Sequence, residues 1–400
     1  MKRTYKSTRR ACYVGYLVQA VVNNLSPVFF LIYQREYGVS YSLLSCLIIM
    51  NFITQLVVDI LCIHFVNKFG QRRCVVAAHI INACGLVMLG VLPPVMPVPF
   101  AGLVIATVFC AVGSGIIEVI ISPVVSALPS DNKTGDMSLL HSFYCWGQLI
   151  VVLSTTLLLA LGVSWRIICL LWAVLPVVNT FNFLTVPIVE TEEDEAAGGF
   201  SLFKSGMFIC FAILMMSAGA SELALSQWAS LFIETSLKIP KAMGDIMGPC
   251  MFALFMGMGR VLFGLYGEKL KVNRVLFMCA AACFVSYIMA SMSEAPFVSL
   301  IACALCGFSV SVMWPGVLSS AAHTHFGGST ALFALLALFG DSGCTAGPAL
   351  AGFLSDIADN FAEIGMSGLR FGLLGASVFP VIMMVTLGVI SLKGQDRGVI

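Results

Sequence analysis

Twelve apolar runs, each long enough to cross a bilayer, follow one another along these 400 residues with mostly short connections between them. Their approximate limits are 11–33, 41–66, 74–92, 99–128, 138–161, 165–187, 205–234, 246–267, 273–292, 296–321, 329–354 and 368–392. Hydrocarbon offers no partner to a free N–H or C=O, so each run must satisfy its backbone internally, as a helix. Composition agrees. Only 10% of the residues are charged, where a soluble chain would carry about 25%. The expected fold class is therefore an all-α integral membrane protein with twelve transmembrane helices.

The basic residues set the expected orientation. With the N-terminus inside, fifteen Lys and Arg fall on inner segments and five on outer loops, a positive-inside bias that puts both termini in the cytoplasm. The basic start, Met1 to Arg10, leads into a run too long for a signal-peptide core, and it reads as a retained first span. The compact loops suit a bacterial inner membrane, so a multi-pass cell-membrane protein is expected. The basic residues lie in short loops, which points away from nucleic acid. Most of the 15 cysteines lie in apolar runs. Cys303 and Cys306 form a C-x-x-C with no neighbouring His, and they read as small buried hydrophobes.

The chain divides near its middle. The segment 188–204 is acidic (Glu190, Glu192, Glu193, Asp194, Glu195) and then Gly-rich, the composition of a solvated linker. It separates an N-terminal six-helix half, 1–187, from a C-terminal one, 205–400. The halves echo each other. Pro123 matches Pro315, Gly147-Gln148 matches Gly340-Asp341, and Asn67-Lys-Phe-Gly70 after span 2 matches Glu268-Lys-Leu-Lys271 after span 8. Two parallel repeats put a solute site near the midplane.

Ionisable residues inside such spans are functional by default. Glu118 lies about ten residues from the end of its run at Leu128, roughly 15 Å at ~1.5 Å per residue, or half of a ~30 Å core. Glu118, Glu222 and Asp341 are the candidates for proton coupling. Burial disfavours the charged form, and opening to water on one side restores it, so such an acid can tie a proton to a conformational change. The alternative for Glu118 is a structural acid, kept protonated or hydrogen-bonded to a neighbouring helix, and for Asp341 a helix-breaking polar cap in a Gly-rich stretch. Asn23, Asn24, Asn51, Gln55, Gln148, Gln227, Trp228 and Trp314 are the candidate substrate-binding residues. Amides offer donor and acceptor together, and an indole face can stack on a pyranose. Helix-to-helix hydrogen bonding and interface anchoring are the competing roles. Asp59, Arg260, Arg72 and Glu268 read as gate or packing charges. No metal spacing or phosphate loop is present, so neither an enzyme nor a cofactor is expected.

These features resemble the major facilitator superfamily. The segment Asn67-Lys-Phe-Gly70-Gln-Arg72-Arg73 is similar to its signature after helix 2, with Ile63 and Asn67 where a Gly and an Asp are expected. Within it, the chain looks like the fucose–galactose–glucose:proton symporter family. Glu118-x3-Ser122-Pro123 stands for Glu-x3-Asn-Pro, Gly219-Ala-Ser-Glu222 for Gly-x-x-Glu, and Gly259-Arg260, Trp314-Pro315 and the Gly-rich stretch from Gly340 to Pro348 match further positions. Asn23-Asn24 departs from the Asn-Asp of helix 1, so the coupling scheme does not carry over whole. The resemblance implies a monomeric secondary active transporter that moves a small polar solute, best matched to a monosaccharide, by proton symport with alternating access. A proton-antiport exporter of drug-like or metabolite compounds is the alternative. The partners expected are that small molecule, protons and the bilayer.

Overall fold

A computed structural model describes residues 4–129, 133–189, 202–266, 270–322, 330–360 and 366–395. The acidic stretch Glu190 to Glu195, most of the expected linker, lies outside the described residues, as does Glu268. The helices in chain order are α1 (Tyr5–Val28), α2 (Phe30–Tyr37), α3 (Tyr41–Phe69), α4 (Gln71–Val95), α5 (Pro99–Ala127), α6 (Lys133–Ala160), α7 (Trp165–Thr185), α8 (Gly206–Ser236), α9 (Lys241–Asp245), α10 (Met251–Tyr266), α11 (Val272–Met292), α12 (Pro296–Val310), α13 (Met313–Ala322), α14 (Thr330–Asn360), α15 (Gly368–Ala376) and α16 (Val378–Gln395). A π-helical turn, Ile246–Cys250, joins α9 to α10.

Among the described residues, ten helices or joined helices are long and apolar enough to cross a membrane. The count is eleven when α1 and α2, bent by 44° to each other, are taken as one span. The remaining expected run, 329–354, falls on α14, which has 31 residues. The bend after α1 has a local cause. Pro27 has no N–H to give the Asn23 carbonyl four residues back, so the ladder breaks there. Between α3 and α4 the chain turns at Gly70, whose φ of +82° is open to glycine and strained for other residues.

The chain forms two compact units. One comprises Met1–Glu192 and Ile239–Ala253, the other Glu193–Lys238 and Leu254–Ile400. The chain thus passes from one unit to the other three times, the third time inside α10, three residues past the π turn that carries Pro249. In the first unit the fully buried Asp245 accepts from Thr156 Oγ1 of α6 at 2.7 Å and pairs with Lys241 at 3.1 Å.

Each unit is held by close helix contacts at small residues. In the first, a Cβ at Gly85 would stand 2.8 Å from the Cys110 backbone nitrogen, so α4 and α5 meet backbone to backbone. In the second, Gly219, Gly343 and Gly347 bring α8 against α14, where an added Cβ would collide with the carbonyls of Gly340, Met216 and Ala220. Away from these seams, long apolar side chains such as Leu157, Phe181, Leu265 and Val385 are exposed, as lipid-facing positions must be. The thiols of Cys303 and Cys306 are buried, and Cys306 Sγ lies 3.8 Å from Cys283 Sγ across α11 and α12.

Candidate functional site

In the first unit, one face of α1 carries Tyr16, Gln19 and Asn23, spaced three and four residues apart. Each reaches a different polar partner. The Tyr16 and Ser122 hydroxyls share a hydrogen bond at 2.8 Å. Gln19 Nε2 donates to Glu118 Oε2 at 2.6 Å. Asn23 Oδ1 accepts from Asn51 Nδ2 and from Gln55 Nε2, both at 3.2 Å. Ser114 Oγ then donates to Gln55 Oε1 at 3.1 Å. The result is three separate hydrogen-bonded groups set along one face of α1 and linking it to α3 and α5, neutral amides and hydroxyls but for the one carboxyl group of Glu118. The tight fit of α3 on α5 at Gly115 makes this possible, since a Cβ there would stand 3.2 Å from the Gln55 Cα and 3.2 Å from Asp59 Oδ1.

Asn24, next on α1, donates to the Ala20 carbonyl at 2.9 Å and to the Tyr144 hydroxyl at 3.3 Å. Gln148 is buried on α6, beside the contact of Gly147 with Leu17 and Ala20. Arg72 donates to the Phe183 carbonyl at 2.8 Å, capping the last turn of α7 within its own unit.

The second unit treats its acid differently. Arg260 Nη2 lies 3.1 Å from Glu222 Oε2 and 3.3 Å from Oε1, so one guanidinium nitrogen serves both carboxylate oxygens. The side chains are 11% and 9% exposed, which makes this a buried ion pair. The structure therefore joins two residues that the sequence assigns to separate tasks. Two turns along α8 in the same unit, Trp228 is fully buried and its indole N–H donates to the Pro348 carbonyl at 3.0 Å. Its ring is engaged in α8–α14 packing. Trp314 is partly exposed, and its ring covers Gly340, where a Cβ would strike it. Asp341 and Gln227 are buried.

Gln19, Tyr16 and Ser114 are the polar residues here that sequence reasoning missed. Their spacing from Asn23 and Glu118 puts them on shared helix faces, but it does not say which neighbouring helix those faces meet. A second polar group was also missed. His79 is fully buried on α4, with Nδ1 bonded to the Val75 carbonyl at 2.7 Å and Nε2 beside Asn179 Nδ2 at 2.9 Å. Asn179 donates onward to the Ala11 carbonyl at 3.0 Å, so this group ties α4, α7 and α1 together.

Two helical units, helices long and apolar enough to cross a membrane and buried polar groups inside each unit fit a multi-pass membrane protein. The chain belongs to the Major Facilitator Superfamily, which its sequence matches over residues 12–348. It is a transporter and not an enzyme. Solved structures of similar fold include the D-xylose-proton symporter, at a TM-score of 0.79 and 12% identity, covering 96% of this chain and 97% of that one. The nucleoside transporter NupG gives a TM-score of 0.75 at 12% identity, with 96% and 98% covered. The E. coli fucose:proton symporter gives 0.66 at 14% identity, with 97% and 99% covered. At these identities the likeness is one of fold. No curated protein matches the sequence.

Proposed function

We propose that the protein imports a small polyhydroxylated solute, a monosaccharide in the simplest case, by proton symport across the cell membrane, as a monomer with both termini in the cytoplasm. The observation that carries this reading is the neutral network centred on Asn23, one turn along α1 from Gln19, the partner of Glu118. Asn23, Asn51, Gln55 and Ser114 place amide and hydroxyl groups side by side within apolar helices. That is the chemistry an uncharged, hydroxyl-rich solute needs, because each of its O–H groups both donates and accepts. Glu118 stands in the same helix as Ser114, partly exposed, and among the described residues its hydrogen-bond partner is an amide and not a cation. A carboxyl group in that setting can gain and lose a proton without breaking an ion pair. Solved structures of similar fold include two sugar–proton symporters.

The test is uptake into proteoliposomes of labelled hexoses, deoxyhexoses and nucleosides, with and without an inward proton gradient. Gradient-driven accumulation of one sugar by the wild type, lost in Glu118→Gln, is the expected result. Downhill flow indifferent to the gradient would remove the proton from the mechanism. Transport of none of the sugars would remove the sugar, and a screen of amphipathic compounds for proton-driven export would follow.

A further inference from the structure

The amide that holds Glu118 is itself only half used. Gln19 is 4% exposed and commits Nε2 to Glu118 Oε2. Its Oε1 is shut away from solvent and has no hydrogen-bond partner among the described residues. A buried acceptor left empty is costly, so a group that persists in this state needs an explanation.

The explanation lies in what an amide can do beside an acid. Its nitrogen only donates and its oxygen only accepts, and a half-turn about the last bond exchanges the two in place. An ionised Glu118 only accepts, so Nε2 must face it and Oε1 is turned away. A protonated Glu118 has an O–H to donate, so Oε1 can face it and Nε2 is turned away. One side chain in one position thus satisfies both charge states of the acid. The atom turned away is an acceptor while Glu118 is charged and a double donor while it is neutral.

Resting on the symport reading, we propose that Gln19 couples the proton on Glu118 to solute binding, its free amide atom changing polarity with the charge on the acid and meeting the solute when the site opens. The surroundings leave this role to Gln19. The other titratable groups on the helices packed against α5 include Asp59 of α3, beside Gly115, and His79 of α4, held by Val75 and Asn179. On α1, Tyr16 is bonded to Ser122, and on α6, His141 sits edge-on to Tyr16 at 5.2 Å while Tyr144 is bonded to Asn24. Four residues along α1 from Gln19 stands Asn23, the shared acceptor of the amide network. A change at Gln19 is therefore one helical turn from the groups that would hold a sugar.

Two readouts on the full-length protein test this. In proteoliposomes, Gln19→Leu is expected to raise the KM of the transported sugar by ~10-fold, by more than it lowers the maximal exchange rate, and to abolish accumulation against a gradient. Infrared difference spectra across a pH step need no solute. The carboxylic-acid C=O band that is missing in Glu118→Gln belongs to Glu118, and in Gln19→Leu it is expected to shift, because the acid has lost its acceptor. A band that stays in place overturns the proposal whatever the transport result. A shifted band with wild-type KM and wild-type accumulation overturns it too. If the wild type moves no sugar, the symport reading falls by itself, and the band alone decides whether Gln19 reads the proton on Glu118.

Discussion

Glu118 in the first unit and Glu222 in the second stand on helices of 29 and 31 residues, and each takes one polar side chain from a neighbouring helix. The partner is an amide in one case and a guanidinium in the other. The difference decides what each acid can do. An Arg stays charged at any working pH, so a proton on Glu222 would take from the buried Arg260 the carboxylate charge that faces it. A proton on Glu118 leaves nothing uncompensated. By this comparison the first unit holds the group free to change charge, and the second holds a fixed pair of charges. Asp341 is buried in the second unit as well, and the comparison predicts that it matters less to coupling than Glu118 does.

The largest effect on stability is expected from breaking the fixed pair. Removing one partner of a buried ion pair costs about 3–5 kcal/mol, because the other charge is stranded. Arg260→Leu should therefore lower the unfolding midpoint of the purified protein well beyond what Asn23→Ala or Glu118→Gln does. Replacing both residues with leucine should recover most of the loss, since a buried pair is worth little more than apolar packing of the same volume. If Arg260→Leu melts like the wild type, the pair is no anchor, and the contrast between the two acids collapses.

A middle effect is expected at Asn23. Its Oδ1 is the common acceptor for Asn51 and Gln55. Asn23→Ala strands two buried donors, each worth about 1–3 kcal/mol, and the remaining groups can rotate toward one another to offset part of this. Chemical denaturation should place the variant between the wild type and Arg260→Leu. Asn23→Asp, which keeps the acceptor, should sit closer to the wild type on the same measurement. If Asn23→Ala proves neutral, the amides are not held by Asn23, and the network loses its centre.

How much of the molecule is legible in its sequence follows from what each feature depends on. The helices are readable because a bilayer demands long apolar runs, and that demand is local in sequence. Glu118 and Glu222 are readable for the same reason, since a charge at that depth stands out in a single run. Their partners are not. Gln19 lies 99 residues from Glu118, and Arg260 lies 38 from Glu222. Which of a helix's faces meets which neighbour is set by packing, such as the glycine contacts at Gly115 and Gly343, and no spacing rule encodes it. Arg260 reads only as a gate or packing charge, because the long Arg side chain hides where its end goes. Trp228 reads as a stacking face for a sugar, and its burial against α14 depends on the rotation of α8.

The smallest change in stability is expected from the substitution that should matter most to transport. Glu118→Gln is nearly isosteric, and the new amide can offer either its oxygen or its nitrogen to Gln19, so the hydrogen bond seen at 2.6 Å has a neutral replacement. The cost should stay within about 0.5 kcal/mol, the range of a substitution that creates no cavity and strands no group. The same exchange at Glu222 removes the carboxylate charge that faces Arg260, so unfolding Glu222→Gln beside Glu118→Gln is the most direct comparison of the two acids. A stable Glu118→Gln that binds solute yet fails to accumulate it would separate proton coupling from folding at this position. A Glu118→Gln protein as unstable as Glu222→Gln would mean that Glu118 is held as a charge too, by a cation brought to it in another conformation, and the division of labour between the two units would have to be redrawn.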